Sequence, residues 1–396
     1  MTGRNRHKKW LYASLIGLLG LCSCGSPSSD YMDSAPNSAQ EQNQAASGVS
    51  WADLTYTGSM ELSYAENFSV DEYEDGYKLL TTMDATQLFV VPEGAAVPED
   101  LPEDIIVIQQ PVQNLYLVAS AAMDMFCSLD ALDTIRFSGQ KEENWYIEAA
   151  KDAMAAGDIL YAGKYSMPDY ELLVSEGCSL AIENRMITHS PEVVEMLESF
   201  DIPVMIEYSS YESHPLGRVE WVKFYGALIG KEELAEQVFK EQEAILDQVS
   251  ANENTGKTVA FFYITSNGLV QIRQSSDYIP KMIELAGGHY IFEDAKDGDS
   301  ARSTMNLQAE EFYDGAKDAD YLIYNSSIDG GVVSVEELLE KCEVLRDFKA
   351  VQDGNVWCTT NDMYQESMAI GYLLQDFHAM LTGKDESNMK YLFHLE

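Results

Sequence analysis

The sequence predicts an α/β protein with two Rossmann-like lobes that are bridged by one long α-helix. Three observations carry this prediction. Short apolar strands alternate with amphipathic helices in both halves of the chain. A helical pattern of about thirty residues separates the halves. The segments ELLVSEGCSLAI and EEFYDGAKDADYLIY, one in each half, both read as an acidic helix that leads into a buried strand.

The chain begins with a segment typical of an export signal. Four basic residues stand within the first nine positions. The apolar run that follows has about a dozen residues, whereas a membrane-spanning helix needs about 20. Leu21-Cys22-Ser23-Cys24 fits the bacterial lipoprotein box, and a cut before Cys22 would put a bulky leucine where a small residue is needed. We predict a lipoprotein signal peptide over 1–23 and a lipid anchor on Cys24; an ordinary secretory signal is the alternative.

Residues 24–60 are rich in Ser, Ala, Asn, Gln and Pro, with little to bury. This composition predicts a disordered tether between the membrane and a folded body of about 335 residues, enough for two ordinary domains. The body would lie outside the cytoplasm, held to the bacterial cell membrane by the lipid on Cys24.

The charge of the chain excludes some classes of partner. There are 66 acidic and 25 basic residues, which gives a net charge of −41. Loss of the signal peptide removes four bases and no acid, and moves this to about −45. Such a field repels nucleic acids and anionic lipid surfaces.

Cysteine usage predicts no structural metal site. The body has Cys127, Cys178, Cys342 and Cys358, two in each half, and no CxxC motif or zinc spacing. Four thiols allow three disulfide connectivities, between which the sequence does not choose, and free thiols are favoured.

The first lobe is predicted over 61–215. GYKLLTTMDATQLFVVPEG indicates two strands around a polar turn, and IIVI indicates a buried strand before a helix. Asp169 and Glu171 begin a helix that leads into the strand CSLAI. Ser190 and Pro191 mark the start of the next helix, which the strand IPVMIEY follows.

The helical pattern over 216–250 predicts the bridge between the lobes, with a step at Gly230. A helix of about thirty residues is about 45 Å long, so it must join or cross two bodies. Such a helix resists bending, and we therefore expect a closure of only a few degrees on ligand binding.

The second lobe is predicted over 251–396, where the α/β pattern restarts. TVAFFYI, YLIY and GNVWCTT indicate strands, and DYIPKMIEL indicates a helix that Gly287-Gly288 ends. The closing helix SMAIGYLLQDFHAMLTG has Gly383 as its C′ residue.

This order of segments resembles the substrate-binding proteins of ABC importers for iron-siderophores, haem and cobalamin. The resemblance covers about residues 76–392, and three segments carry it: ELLVSEGCSLAIENR, HPLGRVEWVKFYGALIGKEELAEQVF and DYIPKMIELAGGHYIF. The Pro-Asp pair usual before the first-lobe strand is replaced by Cys178-Ser179, and the second lobe has Ala319-Asp320.

The resemblance implies a solute-binding lipoprotein, not an enzyme, that delivers an iron chelate to a permease dimer. We expect a monomer without a cofactor or a metal site of its own. Haem or a corrinoid is the alternative ligand. A surface-anchored hydrolase or a ligand sensor is the distant alternative, although HExxH, GxSxG and GxxxxGK[ST] motifs are absent from the sequence.

In this fold the ligand lies in the cleft between the lobes, against loops at the carboxyl ends of the strands. Aromatic and Met side chains there suit a planar or macrocyclic ligand, and arginines suit its negative groups. His214 and Tyr208 could hold a haem or corrin metal, but His214 before Pro215 favours a helix cap. The predicted ligand contacts are Asn184, Arg185, Met186, Tyr208, Tyr263, Arg273, Asn325, Trp357, Met363 and Tyr364.

The resemblance also implies one permease-docking acid on each lobe. Glu171 matches in the helix before CSLAI, and Glu310 or Glu311 in the helix before YLIY. The competing interpretation is that these acids only favour the N-terminal ends of their helices.

Overall fold

The computed structural model describes residues 49–252, 254–296, 303–384 and 386–396. Its first part is a five-stranded sheet in the order β1-β2-β3-β4-β5, antiparallel except for the parallel pair β4–β5. The strands are β1 (Tyr56–Ser59), β2 (Phe68–Tyr73), β3 (Lys78–Thr82), β4 (Gln87–Val91) and β5 (Ile106–Gln109).

A second sheet, entirely parallel, has the order β12-β11-β6-β7-β8. A two-stranded antiparallel hairpin, β9–β10, lies beside it in the chain. The strands are β6 (Leu115–Leu117), β7 (Ile135–Ser138), β8 (Leu160–Tyr161), β9 (Gly163–Lys164), β10 (Met167–Pro168), β11 (Leu180–Asn184) and β12 (Val204–Glu207). The helices between them are α1 (Ser120–Ser128), α2 (Glu148–Ala156), α3 (Tyr170–Ser175) and α4 (Pro191–Ser199).

Two helices, not one, follow this sheet. They are α5 (Pro215–Ile229) and α6 (Glu232–Ser250), and Gly230 between them is left-handed at φ 76°. Helix α6 folds back along α5, because Lys223 Nζ lies 2.9 Å from a Glu236 carboxylate oxygen and 4.3 Å from the Phe239 ring centroid. The predicted step at Gly230 is confirmed, whereas the prediction of one continuous helix over 216–250 is wrong.

The last sheet has the order β16-β14-β13-β17-β18-β19, and β15 also pairs with β13. Strands β15, β13, β17 and β18 are parallel, and β14, β16 and β19 extend the edges antiparallel. The strands are β13 (Lys257–Ile264), β14 (Val270–Arg273), β15 (Gly288–Tyr290), β16 (Thr304–Leu307), β17 (Tyr321–Tyr324), β18 (Val356–Thr359) and β19 (Leu392–His394). The helices are α7 (Tyr278–Leu285), α8 (Ala309–Ala316), α9 (Val335–Lys341), α10 (Lys349–Asp353) and α11 (Ile370–Thr382).

The predicted alternation of strands and helices is confirmed in both halves. Asp169 caps α3, Pro191 is the first residue of α4, and Gly383 ends α11 in the left-handed conformation. The four body cysteines are free thiols, of which Cys178 and Cys358 are buried. Strand β6 was not predicted: the sequence indicated a helix directly after the strand IIVI, whereas β6 lies between them.

The predicted tether is too long at its carboxyl end. Residues 49–60 belong to the fold, since β1 pairs with β2 and the Trp51 ring packs edge-on against Phe89 at 5.1 Å. The signal peptide and Cys24 lie outside the described residues. Among the described helices, none has both the length and the apolar content that crossing a bilayer requires.

Helix α5 is buried along almost its whole length. Every residue from Pro215 to Leu228 is buried. Its apolar residues belong to one continuous core with those of α1, α7 and α11 and of the parallel strands in both lobes. The two lobes therefore share a core as well as a connection.

The buried carboxylate of Glu220 ties the chain after β1 to α5. It accepts backbone hydrogen bonds from Ser63 (2.9 Å), Tyr64 (2.8 Å) and Ala65 (2.8 Å). The ammonium group of Lys223 lies 3.1 Å away and balances the charge. A buried charge is tolerated only with such partners.

We expect Glu220→Ala to lower the free energy of unfolding by about 3–5 kcal/mol, because three backbone donors and the Lys223 charge lose their acceptor. Urea denaturation measures this loss. The matched control is Glu233→Ala, at an exposed position of α6, for which we expect a change within about 0.5 kcal/mol. Equal stability of the two variants would contradict this role of Glu220.

Candidate functional site

A cavity of about 330 Å³ lies between the two lobes. Its first-lobe wall consists of the start of α1 and the chain after β11 and β12. Its second-lobe wall consists of the end of β14, the start of α7 and the loop after β18. The carboxyl ends of the parallel strands β11 and β12 and the loop after the parallel strand β18 therefore face one cleft, which is where ligands bind in open α/β sheets. Arg273 comes from the antiparallel strand β14.

Three arginines line this cleft: Arg185, Arg218 and Arg273. They come from the chain after β11, from α5 and from the end of β14. Two acids line it as well, Glu207 in the first-lobe wall and Asp277 in the second-lobe wall. In a chain with 66 acids and 25 bases, the lining of this cleft therefore has more basic than acidic side chains.

Arg218 is held in the wall of the cleft by an aromatic ring and a backbone carbonyl. Its guanidinium carbon lies 4.2 Å from the ring centroid of Tyr278, the first residue of α7. Nη1 donates to the Ser209 carbonyl at 3.5 Å. Burial raises the pKa of Glu207, and the Ser209 N–H and the Arg218 charge act against that rise. The arginine thus connects α5 with both walls.

Arg273 is fixed by a network from the second lobe. Its Nη1 lies 3.4 Å from a carboxylate oxygen of Asp277, which also caps α7 through the Ile279 N–H at 3.0 Å. Its Nη2 contacts the Tyr364 hydroxyl. Asn325 Nδ2 donates to the same hydroxyl at 3.0 Å. The guanidinium group and Tyr364 are therefore presented to the cleft as one unit.

Arg185 lies at the mouth of the cleft. Its guanidinium carbon is 4.8 Å from the Tyr211 ring centroid. Asn184 caps the short helical turn that follows β11, through the Met186 N–H at 2.9 Å. Met186 and Tyr211 are 49 % and 40 % exposed, so they offer apolar surface to a ligand. The neighbouring Glu183 points into the core, where burial raises its pKa to about 8.

Five of the ten predicted contact residues line the cleft: Asn184, Arg185, Met186, Arg273 and Tyr364. They stand where strands or their loops end, which is the position that the prediction used. Their contact with a ligand stays a prediction.

The other five predicted contacts lie away from the cleft wall. Asn325 is buried and supports Tyr364 from behind. Tyr208 is buried, donates to an Asp84 oxygen at 3.2 Å, and has its pKa raised to about 12 by burial and by Asp84. Trp357 and Met363 are part of the shared core.

Tyr263 lines a separate cavity beside Asp329 and Lys341. In each of these five cases the side chain faces the core or another surface. Beside Tyr208 and Met363, the neighbouring residue forms the wall instead, Glu207 in one case and Tyr364 in the other. His214 caps α5 through the Leu216 N–H at 3.2 Å, which confirms its cap role.

Sequence reasoning missed several residues of the cleft. Glu207, Arg218, Asp277 and Tyr278 line it, as do Ser120, Tyr211 and Ser303. One signal was present for Arg218: it is one of three charged residues in a helix whose pattern is mostly apolar, and such a residue needs a partner when it is buried.

Residues 365–367, which we call the strap, connect the second lobe to the first beside the cleft. Gln365 Oε1 accepts the Tyr146 N–H at 2.8 Å, and its Nε2 donates to the Asn144 carbonyl at 2.8 Å. Ser367 Oγ donates to the carbonyl of Ala121, in the first turn of α1, at 2.6 Å. The loop that carries Tyr364 is therefore attached to both lobes.

No family model matches the chain. An uncharacterized lipoprotein of Methanocaldococcus jannaschii is 26% identical over 334 residues, which are 79% of this chain and 77% of the relative. The ABC transporter substrate-binding protein of Listeria monocytogenes superposes with a TM-score of 0.53 at 15% identity, over 69% of this chain and all of that one. The chain has the fold of a substrate-binding protein.

Two further solved structures agree. The periplasmic haem-binding protein HutB of Vibrio cholerae has a TM-score of 0.54 at 14% identity, over 66% of this chain and 97% of its own. The structure of an ABC-type Fe³⁺-hydroxamate transport system from Saccharomonospora viridis has a TM-score of 0.53 at 16% identity, over 68% of this chain and 93% of its own. The two-lobe binding-protein fold predicted from the sequence is thereby confirmed.

Proposed function

We propose that this protein is an extracytoplasmic solute-binding lipoprotein that captures an iron chelate of siderophore type and delivers it to the permease of an ABC importer. The observation that carries the proposal is the convergence of Arg185, Arg218 and Arg273 on the cleft between the lobes. Guanidinium groups match the oxygens of carboxylate and catecholate chelators in both charge and geometry.

The cleft surface fits a ligand with flat or irregular apolar parts. Tyr211, Tyr278 and Tyr364 present aromatic rings, and Met186 is a flexible apolar contact. The cavity of about 330 Å³ is within the range of small-molecule sites. An anionic chelate would be held by the arginines and surrounded by these side chains.

Haem is the second candidate ligand. Tyrosine is one of the residues that bind haem iron axially, and the cleft has three tyrosines. HutB, a haem-binding protein, shares the fold. A corrinoid remains the third candidate.

We infer that the protein binds its ligand without converting it. The solved structures reported above are binding and transport proteins. A surface-anchored hydrolase would release altered ligand, and a sensor would act without a permease. Assays of ligand integrity after incubation, and of uptake in cells, separate these alternatives.

The proposed location follows from the predicted signal peptide and Cys24. The relative from Methanocaldococcus jannaschii is named a lipoprotein, which supports the same kind of anchor here. The protein would work as a tethered monomer beside a dimeric permease.

We propose Glu171 and Glu310 as the docking acids. Both are exposed in the first turns of α3 and α8, the helices that lead into β11 and β17. Glu311 has another role, because its carboxylate accepts the Gln308 N–H at 2.9 Å in a capping box. The exposed carboxylates suit arginines on a permease surface.

We expect wild-type protein to bind an anionic ferric chelate, and Arg273→Gln to bind it at least tenfold more weakly, since one guanidinium contact is lost. Titration calorimetry with ferric citrate, a ferric tricatecholate, a neutral ferric trihydroxamate, haemin and cobalamin measures this. Arg136→Gln is the control, because Arg136 pairs with Glu176 away from the cleft. Binding of cobalamin alone, or of a sugar or peptide instead, would refute the iron proposal.

We expect Glu171→Lys with Glu310→Lys to abolish uptake of the bound chelate in cells and to leave its affinity for the purified protein unchanged. The charge-matched control is Glu195→Lys with Glu336→Lys, at exposed positions of α4 and α9, for which uptake should continue. Normal uptake by the first double variant would remove the docking role.

A further inference from the structure

Helix α1 begins at the cleft with uncapped backbone donors. It runs from Ser120 to Ser128, and the preceding Ala119 has no side chain that could cap it. The Ala119 N–H donates to the Ile182 carbonyl at 3.1 Å, and Ala122 donates to the Ala119 carbonyl at 3.0 Å. For the N–H groups of Ser120 and Ala121, no acceptor is found among the described residues. Ala119, Ser120 and Ala121 all line the cavity.

Arg218 supplies an independent observation at the same cavity. The side chain is only 4 % exposed, and its Nε has no hydrogen-bond partner in the described part of the chain. A buried N–H donor that is left unsatisfied destabilises the folded protein, unless a ligand or ordered solvent supplies the acceptor. Arg218 lines the cavity that the start of α1 also lines.

We propose that the N-terminus of α1 and the Nε of Arg218 form an oxyanion subsite that receives a carboxylate or catecholate oxygen of the chelate. The subsite makes the cleft select anionic over neutral ferric complexes. This inference rests on the proposed function and deepens it by assigning the charge class of the ligand.

The two acids of the cleft explain why the start of α1 matters. Asp277 pairs with Arg273 at 3.4 Å, and Glu207 stands near Arg218, so part of the arginine charge is already opposed. The first turn of α1 has no acid. Its N–H groups and the positive end of the helix dipole therefore remain available to an anion.

Ser120 allows a direct test, because it is the first residue of α1, is half-buried and lines the cavity. An aspartate in the first turn favours the helix itself but places a negative charge where the ligand oxygen would lie. Asparagine has nearly the same size and no charge. Ser120→Asp and Ser120→Asn therefore differ at this subsite mainly by one charge.

The experiment compares both variants in calorimetric titrations with ferric citrate, a ferric tricatecholate and a neutral ferric trihydroxamate. We expect Ser120→Asp to bind the anionic complexes at least tenfold more weakly than Ser120→Asn, and to melt at the same temperature or higher. With the neutral complex the two variants should differ by less than threefold. Arg218→Lys keeps the charge but removes the Nε donor, and should weaken binding of the anionic complexes selectively.

The other possible results separate failure of the subsite from failure of the proposed function. If wild-type protein binds the anionic complexes and the two Ser120 variants bind them equally, the subsite is refuted and the proposed function stands. If wild-type protein prefers the neutral trihydroxamate, the selectivity is refuted, again without harm to the proposed function. If it binds no ferric complex at all, the proposed function fails, and this inference fails with it.

Discussion

The burial of α5 on all sides is the constraint on which the arrangement of the two lobes depends. Three of its buried residues are charged: Arg218, Glu220 and Lys223. Charged side chains inside a protein need partners at short range, and here those partners come from different parts of the chain. Glu220 holds the residues after β1, Lys223 reaches α6, and Arg218 reaches α7. The position of the helix is therefore fixed against three neighbours at once.

The same constraint sets the geometry of the cleft. Arg218 comes from α5 itself, and the other two arginines stand on walls that pack against one shared core. Tyr278 holds Arg218, and Asp277 and Tyr364 hold Arg273, so these two guanidinium groups are already positioned in the cleft. Binding then loses little side-chain entropy. A continuous core and the Gln365 strap oppose wide opening, which agrees with the expected closure of a few degrees.

The sequence was sufficient to predict most strands and helices, but not where the chain reverses between them. Caps and breakers located the starts and ends of helices, as at Pro191 and Gly383. The single-helix prediction over 216–250 was wrong because helical periodicity continues on both sides of Gly230 and does not report that the chain reverses there. For the site, strand ends located Arg185 and Arg273. Arg218 belongs to a helix, so only the three-dimensional packing brings it to the cleft. Trp357 faces the core, because the loop after β18 forms the wall of the cleft instead.

A crystal structure with the tightest-binding ferric chelate from the titration would show directly where the ligand binds. We predict that the chelate lies between the lobes, with its oxygens against Arg185, Arg218 and Arg273. We also predict that the lobes rotate by less than about 10° between the structures with and without the chelate, because they share one core. A chelate bound outside this cleft, or a wide rotation of one lobe away from α5, would contradict these predictions.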